Sequence, residues 1–252
     1  MLAALIFAAL FGLVIGSFLN VVAWRLPRGE SLSHPGSHCT KCQTPIKPYD
    51  NVPVLGWLVL KGKCRACREP ISPRYPLVEA STAALYVLVV AVAWDDTTRI
   101  ALGIALVTLL VPVTLIDLDV RRIPNLLTGP FAVLAVLIVA ALDLDRLPEH
   151  LIAGAAAFAF FFLAAVAKPG GMGFGDVKLA GVLGLYLGRA VAPGIFIGLI
   201  SGVLIGGIVM ARVGIKAGRK TKVPFGPFLA LGGLIGFLVG DGLVDAYLDR
   251  YS

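Results

Sequence analysis

Ile100-Ala-Leu-Gly-Ile-Ala-Leu-Val-Thr-Leu-Leu-Val-Pro-Val-Thr-Leu-Ile-Asp117-Leu-Asp119-Val-Arg121-Arg122 is uncharged from Ile100 to Ile116 and then ends in two acids and two arginines. Such a run approaches the roughly 20 residues an α-helix needs to cross hydrocarbon, and acids beside it are costly enough to need a reason. Further apolar runs occupy Leu2 to Trp24, Leu77 to Trp94, Leu126 to Leu142, Leu151 to Ala167, Leu179 to Leu187, Val191 to Ala211 and Phe225 to Val239. With 58% hydrophobic and 15% charged residues and a mean hydropathy of +0.90, the 252-residue chain carries more apolar surface than a soluble core can hide. The sequence therefore predicts an all-α polytopic membrane protein with about eight transmembrane helices. The sixth run is short, so the chain there tilts, stops at a loop or is covered by neighbouring helices. The first run carries no Lys or Arg before Arg25 and no small-residue cleavage site, and it reads as a retained helix.

Eight crossings divide the loops into two sets. Loop 25–76 and the turns 117–125, 168–178 and 212–222 hold 18 of the 22 basic residues, while the opposite set holds only Arg99, Arg146, Arg189 and Arg250 among many acids. The positive-inside rule makes the first set cytoplasmic and both termini external. The net charge of +7 is then largely topology and calls for a lipid bilayer, not a nucleic-acid partner. Three stretches follow: a first transmembrane helix over 1–24, a cytoplasmic subdomain over 25–76 and a transmembrane core over 77–252. Glycines at four-residue spacing (184 and 188; 198, 202 and 206; 232, 236 and 240) predict close helix packing, and no other internal repeat stands out.

All four cysteines lie in the polar loop, as Cys39-Thr-Lys-Cys42 and Cys64-Arg-Ala-Cys67. Two such chelating turns suit tetrahedral Zn²⁺ and predict a small zinc-ribbon-like subdomain with a structural metal. A reducing cytoplasm disfavours disulfides there, and redox catalysis would need only one of the pairs. His34 and His38 lie beside the first pair, either as substitute ligands or as exposed loop residues.

Two acidic motifs share the predicted cytoplasmic face. One is Asp117-Leu-Asp119-Val-Arg-Arg-Ile-Pro-Asn125, and the other is Gly171-Met-Gly173-Phe-Gly175-Asp176-Val-Lys178. Two carboxylates sharing one water cannot both ionise cheaply, which is the condition for aspartyl proteolysis: one takes a proton from the attacking water while the other donates to the peptide carbonyl. Gly173 and Gly175 would permit unusual φ values and close backbone approach at this active-site turn. The bland alternative has Asp117 and Asp119 balancing Arg121 and Arg122, and Asp176 favoured by a helix macrodipole.

With these motifs in place, the chain resembles the bacterial type IV prepilin leader peptidases over nearly its whole length. The resemblance rests on Gly16-Ser-Phe-Leu-Asn-Val-Val-Ala-Trp-Arg-Leu-Pro27, both cysteine pairs, Ser72-Pro-Arg-Tyr-Pro-Leu-Val-Glu79, Asp117 to Asn125 and Gly173 to Lys178. It implies that Asp117 and Asp176 are the catalytic pair of a GxGD-type peptidase in the bacterial inner membrane. The implied substrate is a type IV prepilin or type II secretion pseudopilin, cut on the cytoplasmic side. It also implies N-methylation of the new N-terminus with S-adenosylmethionine, a role associated with the large loop. Glu79 is the candidate methyltransferase residue, able to accept the proton lost by the substrate ammonium; its alternative is an N-terminal helix charge after Pro76. Phe174 stands where the family more usually has a small residue, which bears on substrate fit. Two other classes stay open on the residues alone. A proton-coupled transporter would place its acids at helix centres, and an inactive pilus-assembly scaffold would need only the packing motifs and the metal loop.

Overall fold

The computed structural model describes residues 1–168, 170–213 and 224–251. Most of the predicted basic turn 212–222, from residue 214 onward, lies outside them. The chain forms two compact units, Met1–Trp94 and Asp95–Ser252. Among the described residues the fold is helical, and seven segments are long and apolar enough to cross a membrane.

In the first unit, α1 (Leu2–Arg25) packs against α3 (Arg74–Val92), and the loop between them carries two 3-10 turns, Leu26–Arg28 and Pro48–Asp50, and one short α-helix, α2 (Leu55–Val59). Small residues set the approach of the two long helices. A Cβ on Gly12 would lie 2.6 Å from the Ala83 Cα, and one on Gly16 would lie 2.8 Å from the Glu79 Cα. The polar residues of the first motif fasten the ends. The Asn20 side chain donates to the Tyr75 carbonyl at 3.2 Å, and buried Arg25 donates to the carbonyls of Ser31 at 2.9 Å and Pro35 at 2.7 Å. The other side of α1, with Phe7, Leu10, Val14 and Phe18, is exposed, as expected of a helix whose solvent is lipid.

In the second unit α4 (Thr97–Val120) holds the core: Leu106, Leu109, Val113 and Ile116 on it are fully buried. Asp96 caps its start, accepting the Arg99 N–H at 2.8 Å. Against it lie α5 (Asn125–Leu142), α7 (Phe174–Leu187) and α9 (Gly226–Tyr251), with α6 (Leu147–Ala167) packed on α7 and α8 (Val191–Val213) on α9. The glycine rows do part of the predicted work, α7 lying on α6 through Gly184 and α8 on α9 through Gly198, Gly232 and Gly236 with Gly194 added, whereas Gly206 has nothing within 4 Å of where a Cβ would stand.

The expected sixth and seventh crossings form one 39-residue apolar segment, Phe174–Arg212. A straight helix of that length would reach about 58 Å, roughly twice the hydrocarbon thickness. The segment is broken at Gly188 (φ 55°, ψ −135°), so this glycine ends a helix where a continued packing row was expected. At 14 residues α7 is about 21 Å long, too short to cross alone, and most of it is buried. It is thus the covered helix among the three alternatives for the short run.

Backbone contact at the α8–α9 crossing sets a test. A Cβ on Gly232 would sit 2.2 Å from the Gly194 carbonyl oxygen, whereas one on Gly207 has nothing within 4 Å. Gly232→Ala is expected to destabilise the protein by about 1–3 kcal/mol. Gly207→Ala should be neutral or stabilising by up to about 1 kcal/mol through helix propensity. Equilibrium unfolding in detergent compares them, and equal stabilities would contradict the close crossing.

Candidate active site and metal centre

Asp117 lies on the buried row of α4, one turn beyond Val113, and is 5% exposed. Two residues on, Asp119 falls on the exposed side, as a helix repeat requires. The Asp117 Oδ2 accepts the Gly226 N–H at 2.9 Å. Gly226 is the first residue of α9, so the carboxylate meets the positive end of a helix dipole. A Cβ on Gly226 would come 2.7 Å from the same oxygen, so this donor depends on glycine. Past Asp117 the chain turns: Arg121 adopts the left-handed region (φ 55°) and donates its N–H to the Asp117 carbonyl at 2.9 Å. Pro124 then precedes α5.

The second motif opens α7, with Gly173 as N-cap and Asp176 three residues in. The Asp176 carboxylate folds back toward Gly173, its Oδ2 3.0 Å from where a Cβ on that glycine would stand, and lies in the first turn of α7, so the bland helix-start role is present along with the rest. Neither Gly173 (φ −75°) nor Gly175 uses left-handed φ, and the expected conformational freedom is not what they supply. Close approach is: a Cβ on Gly175 would lie 2.9 Å from the Ile123 Cβ, pressing the start of α7 onto the first motif. Lys178 ties the same pair, its Nζ donating to the Asn125 Oδ1 at 2.9 Å. These two contacts hold the start of α7, which carries Asp176, against the turn that follows Asp117. Phe174, 51% exposed, stands edge-on to Phe158 and Phe162 of α6, so its ring extends an aromatic cluster beside the acids.

In the first unit the four cysteines are free thiols whose sulfurs all lie within 4.8 Å of one another, with Cys39 and Cys67 at 3.7 Å and Cys42 and Cys64 at 4.0 Å. A tetrahedron with bonds of about 2.3 Å has edges of about 3.8 Å, so the sulfur set fits a metal ion such as zinc. Hydrogen bonding from the Thr44 side chain, then its backbone N–H, pulls the Cys42 thiol down to about 6, toward the thiolate that metal binding needs. The geometry also exposes a repeat that the sequence reading passed over. Each knuckle reads Cys-x-x-Cys-x-x-Pro and has the same backbone bonds: Cys39 N–H to Thr44 O (3.0 Å) and Cys64 N–H to Glu69 O (2.8 Å); Ile46 N–H to Ser37 O (2.8 Å) and Ile71 N–H to Gly62 O (2.7 Å). Gln43 (φ 57°) and Arg68 (φ 61°) occupy matching left-handed positions. His38 is turned to the Gly36 carbonyl at 2.9 Å and neither histidine belongs to the sulfur cluster.

Glu79 is not an N-terminal charge. The helix starts earlier, at Arg74, and Glu79 lies a turn deeper, 7% exposed, its Oε2 accepting the Val54 N–H at 2.7 Å. Val54 and Gly226, both backbone donors far away in sequence, were the partners that motif reading missed. For Gly226 the signal was Pro224-Phe-Gly-Pro227, a turn composition directly before an apolar run.

Residues 10–93 match the bacterial peptidase A24 N-terminal domain, and residues 104–211 match the type IV leader peptidase family. The chain is 34% identical to the prepilin leader peptidase/N-methyltransferase of Aeromonas hydrophila, over 96% of its own length and 93% of the relative's. It is 32% identical to the protein of that name from Bacillus subtilis (strain 168), over 95% and 96%. A type 4 prepilin-like proteins leader peptide-processing enzyme of Escherichia coli O78:H11 is 36% identical, with 91% of each chain covered. No solved structure matches the chain. The first matched region holds the cysteines and Glu79, the second holds Asp117 and Asp176, and the chain belongs to the type IV leader peptidase family.

Proposed function

We propose that this protein cleaves the basic leader from type IV prepilins or type II secretion pseudopilins at the cytoplasmic face of the bacterial inner membrane, with Asp117 and Asp176 as the catalytic pair. The observation that carries the assignment is the junction of the two acidic motifs, closed by Gly175 on Ile123 and by Lys178 on Asn125. Both acids sit at helix ends, Asp117 near the end of α4 and Asp176 at the start of α7. Cleavage beside the membrane surface needs that position; a proton path through mid-span acids does not.

In the reaction one carboxylate is ionised and the other protonated. The ionised member takes a proton from water as its oxygen bonds to the scissile carbonyl carbon, and the protonated member donates to the carbonyl oxygen. Collapse of the tetrahedral adduct breaks the C–N bond, the leaving amine takes the proton that the first carboxylate received from water, and the adduct hydroxyl returns its proton to the second carboxylate. The Gly226 N–H keeps the Asp117 carboxylate oriented through these steps.

The protein also N-methylates the new N-terminal amine, in keeping with the names of its relatives, and S-adenosylmethionine is the proposed methyl donor. Glu79 makes a poor marker for that site: it is buried and one carboxylate oxygen is already taken by the Val54 N–H. The residues around it do not outline a place for the donor. Zn²⁺ on Cys39, Cys42, Cys64 and Cys67 would be a structural cross-link between the two knuckles.

Asp117→Asn and Asp176→Asn are each expected to lower prepilin cleavage by about 10²–10⁴-fold with the fold intact, while Asp119→Asn cleaves normally. Leader release by mass spectrometry reads this out, and full processing by either of the first two variants would end the assignment. For the metal, one Zn²⁺ per chain is expected in protein purified without chelator, and Cys39→Ser with Cys42→Ser should lose it and impair methylation more than cleavage. Metal-free wild-type protein with oxidised cysteines would contradict both the zinc and the cytoplasmic placement.

A further inference from the structure

Between Pro48 and Leu60 the loop of the first unit folds into a compact hook that the proposed chemistry does not use. Its centre is Val54, held at φ 60° and ψ −53°, with the Leu55 N–H bonded to the Pro53 carbonyl at 2.6 Å: a γ-turn that a β-branched residue rarely adopts. The turn is pinned from below by the buried Glu79 carboxylate on the Val54 N–H. From the side it is pinned by Arg65, whose Nε and Nη2 grip the Asp50 carboxylate at 2.7 and 2.5 Å and hold it below the usual carboxylate range. The indole N–H of Trp57 donates to the Ile71 carbonyl at 3.0 Å, joining α2 to the second cysteine knuckle.

This hook presents a patch of apolar side chains outward. Val52 is 43% exposed, Leu55 60%, Leu58 56% and Val59 74%. Depth decides what covers them. The 19 residues of α3 span about 28 Å, barely the roughly 30 Å of the hydrocarbon layer, so α3 has no spare turn to extend into water. Glu79 lies about 7 Å along α3 from Arg74, and Val54 is bonded directly to it. The γ-turn and α2 therefore sit at the hydrocarbon boundary. Lys47, Lys61 and Lys63 flank the patch in sequence, a composition suited to anionic headgroups.

We propose that Val52–Leu60 is an interfacial segment: Leu55, Leu58 and Val59 insert among the acyl chains of the leaflet facing the 26–73 loop, with the flanking lysines at the phosphates. The two cysteine knuckles are thereby docked onto the membrane surface, with α2 as the foot and the Glu79–Val54 bond setting its depth. A buried carboxylate at that depth is expensive unless satisfied, and the Val54 N–H satisfies it. Docking rests on no assumption about the aspartate pair and fails or stands independently of it.

The test places a photo-crosslinking benzoylphenylalanine at position 58, with a second variant at position 41, an exposed lysine between the first two cysteines. Each full-length protein is reconstituted in nanodiscs containing phosphatidylglycerol and irradiated with and without prepilin. Phospholipid adducts are expected at position 58 under both conditions and not at position 41. Equal lipid labelling at both positions would overturn the proposal, as would adducts at 58 with prepilin and none with lipid, which would make the patch a substrate-docking face instead. Leu58→Glu adds a folding-controlled readout. The loss of lipid adducts from a probe at position 55 in that variant, with metal content unchanged, is expected, and undiminished labelling counts against insertion.

Discussion

The hydrogen bond from the Gly226 N–H to Asp117 is the contact on which the second unit is organised. A carboxylate at the buried end of an apolar helix needs a donor supplied by the protein, and here the donor is the first N–H of α9. Satisfying it brings the start of α9 to the end of α4 and leaves no room for a side chain at position 226. The same helix, through Gly232 and Gly236, receives α8 at backbone contact. On the other side of the acid, the left-handed turn at Arg121 brings Ile123 under Gly175 and Asn125 within reach of Lys178, which fastens the start of α7 to the first motif. Each of these contacts is short-range, and together they hold the two motifs against each other.

Much of this was legible in the sequence because lipid leaves few choices. Apolar runs had to be helices, glycines at four-residue spacing had to be packing faces, and acids at run ends had to be paired or functional. The four cysteines announced a metal-shaped cluster through spacing alone, and their sulfurs lie within 4.8 Å of one another. What the sequence concealed were backbone partners. Neither the Gly226 N–H nor the Val54 N–H has a side chain to signal its role, and each reaches a carboxylate from a distant part of the chain. The knuckle repeat was hidden for a related reason: its sameness lies in main-chain bonds and left-handed Gln43 and Arg68, while only Cys, Pro and a following Ile recur as letters. Gly173 and Gly175 point in sequence to both φ freedom and close approach; here the missing Cβ matters and the backbone angle does not.

The first unit applies the same physics to a different end. Asn20, Arg25 and Glu79 are all buried polar groups near a membrane boundary, and each is answered by backbone atoms of the loop or of the neighbouring helix. The polar loop is accordingly tethered at several points along α1 and α3, and the cysteine knuckles hang from it through Arg65 and Trp57. Conserving that geometry constrains residues that a reading by chemistry alone would assign to catalysis, Glu79 above all.

The central claim is that Asp117 and Asp176 act as one acid–base unit, and a double-mutant cycle on prepilin cleavage tests it most directly. Rates would be measured for wild type, Asp117→Asn, Asp176→Asn and the double variant. Residues that work as a unit are strongly non-additive, so the double variant is expected to be no slower than the slower single variant. Losses that multiply, each acid contributing independently of the other, would contradict a shared site.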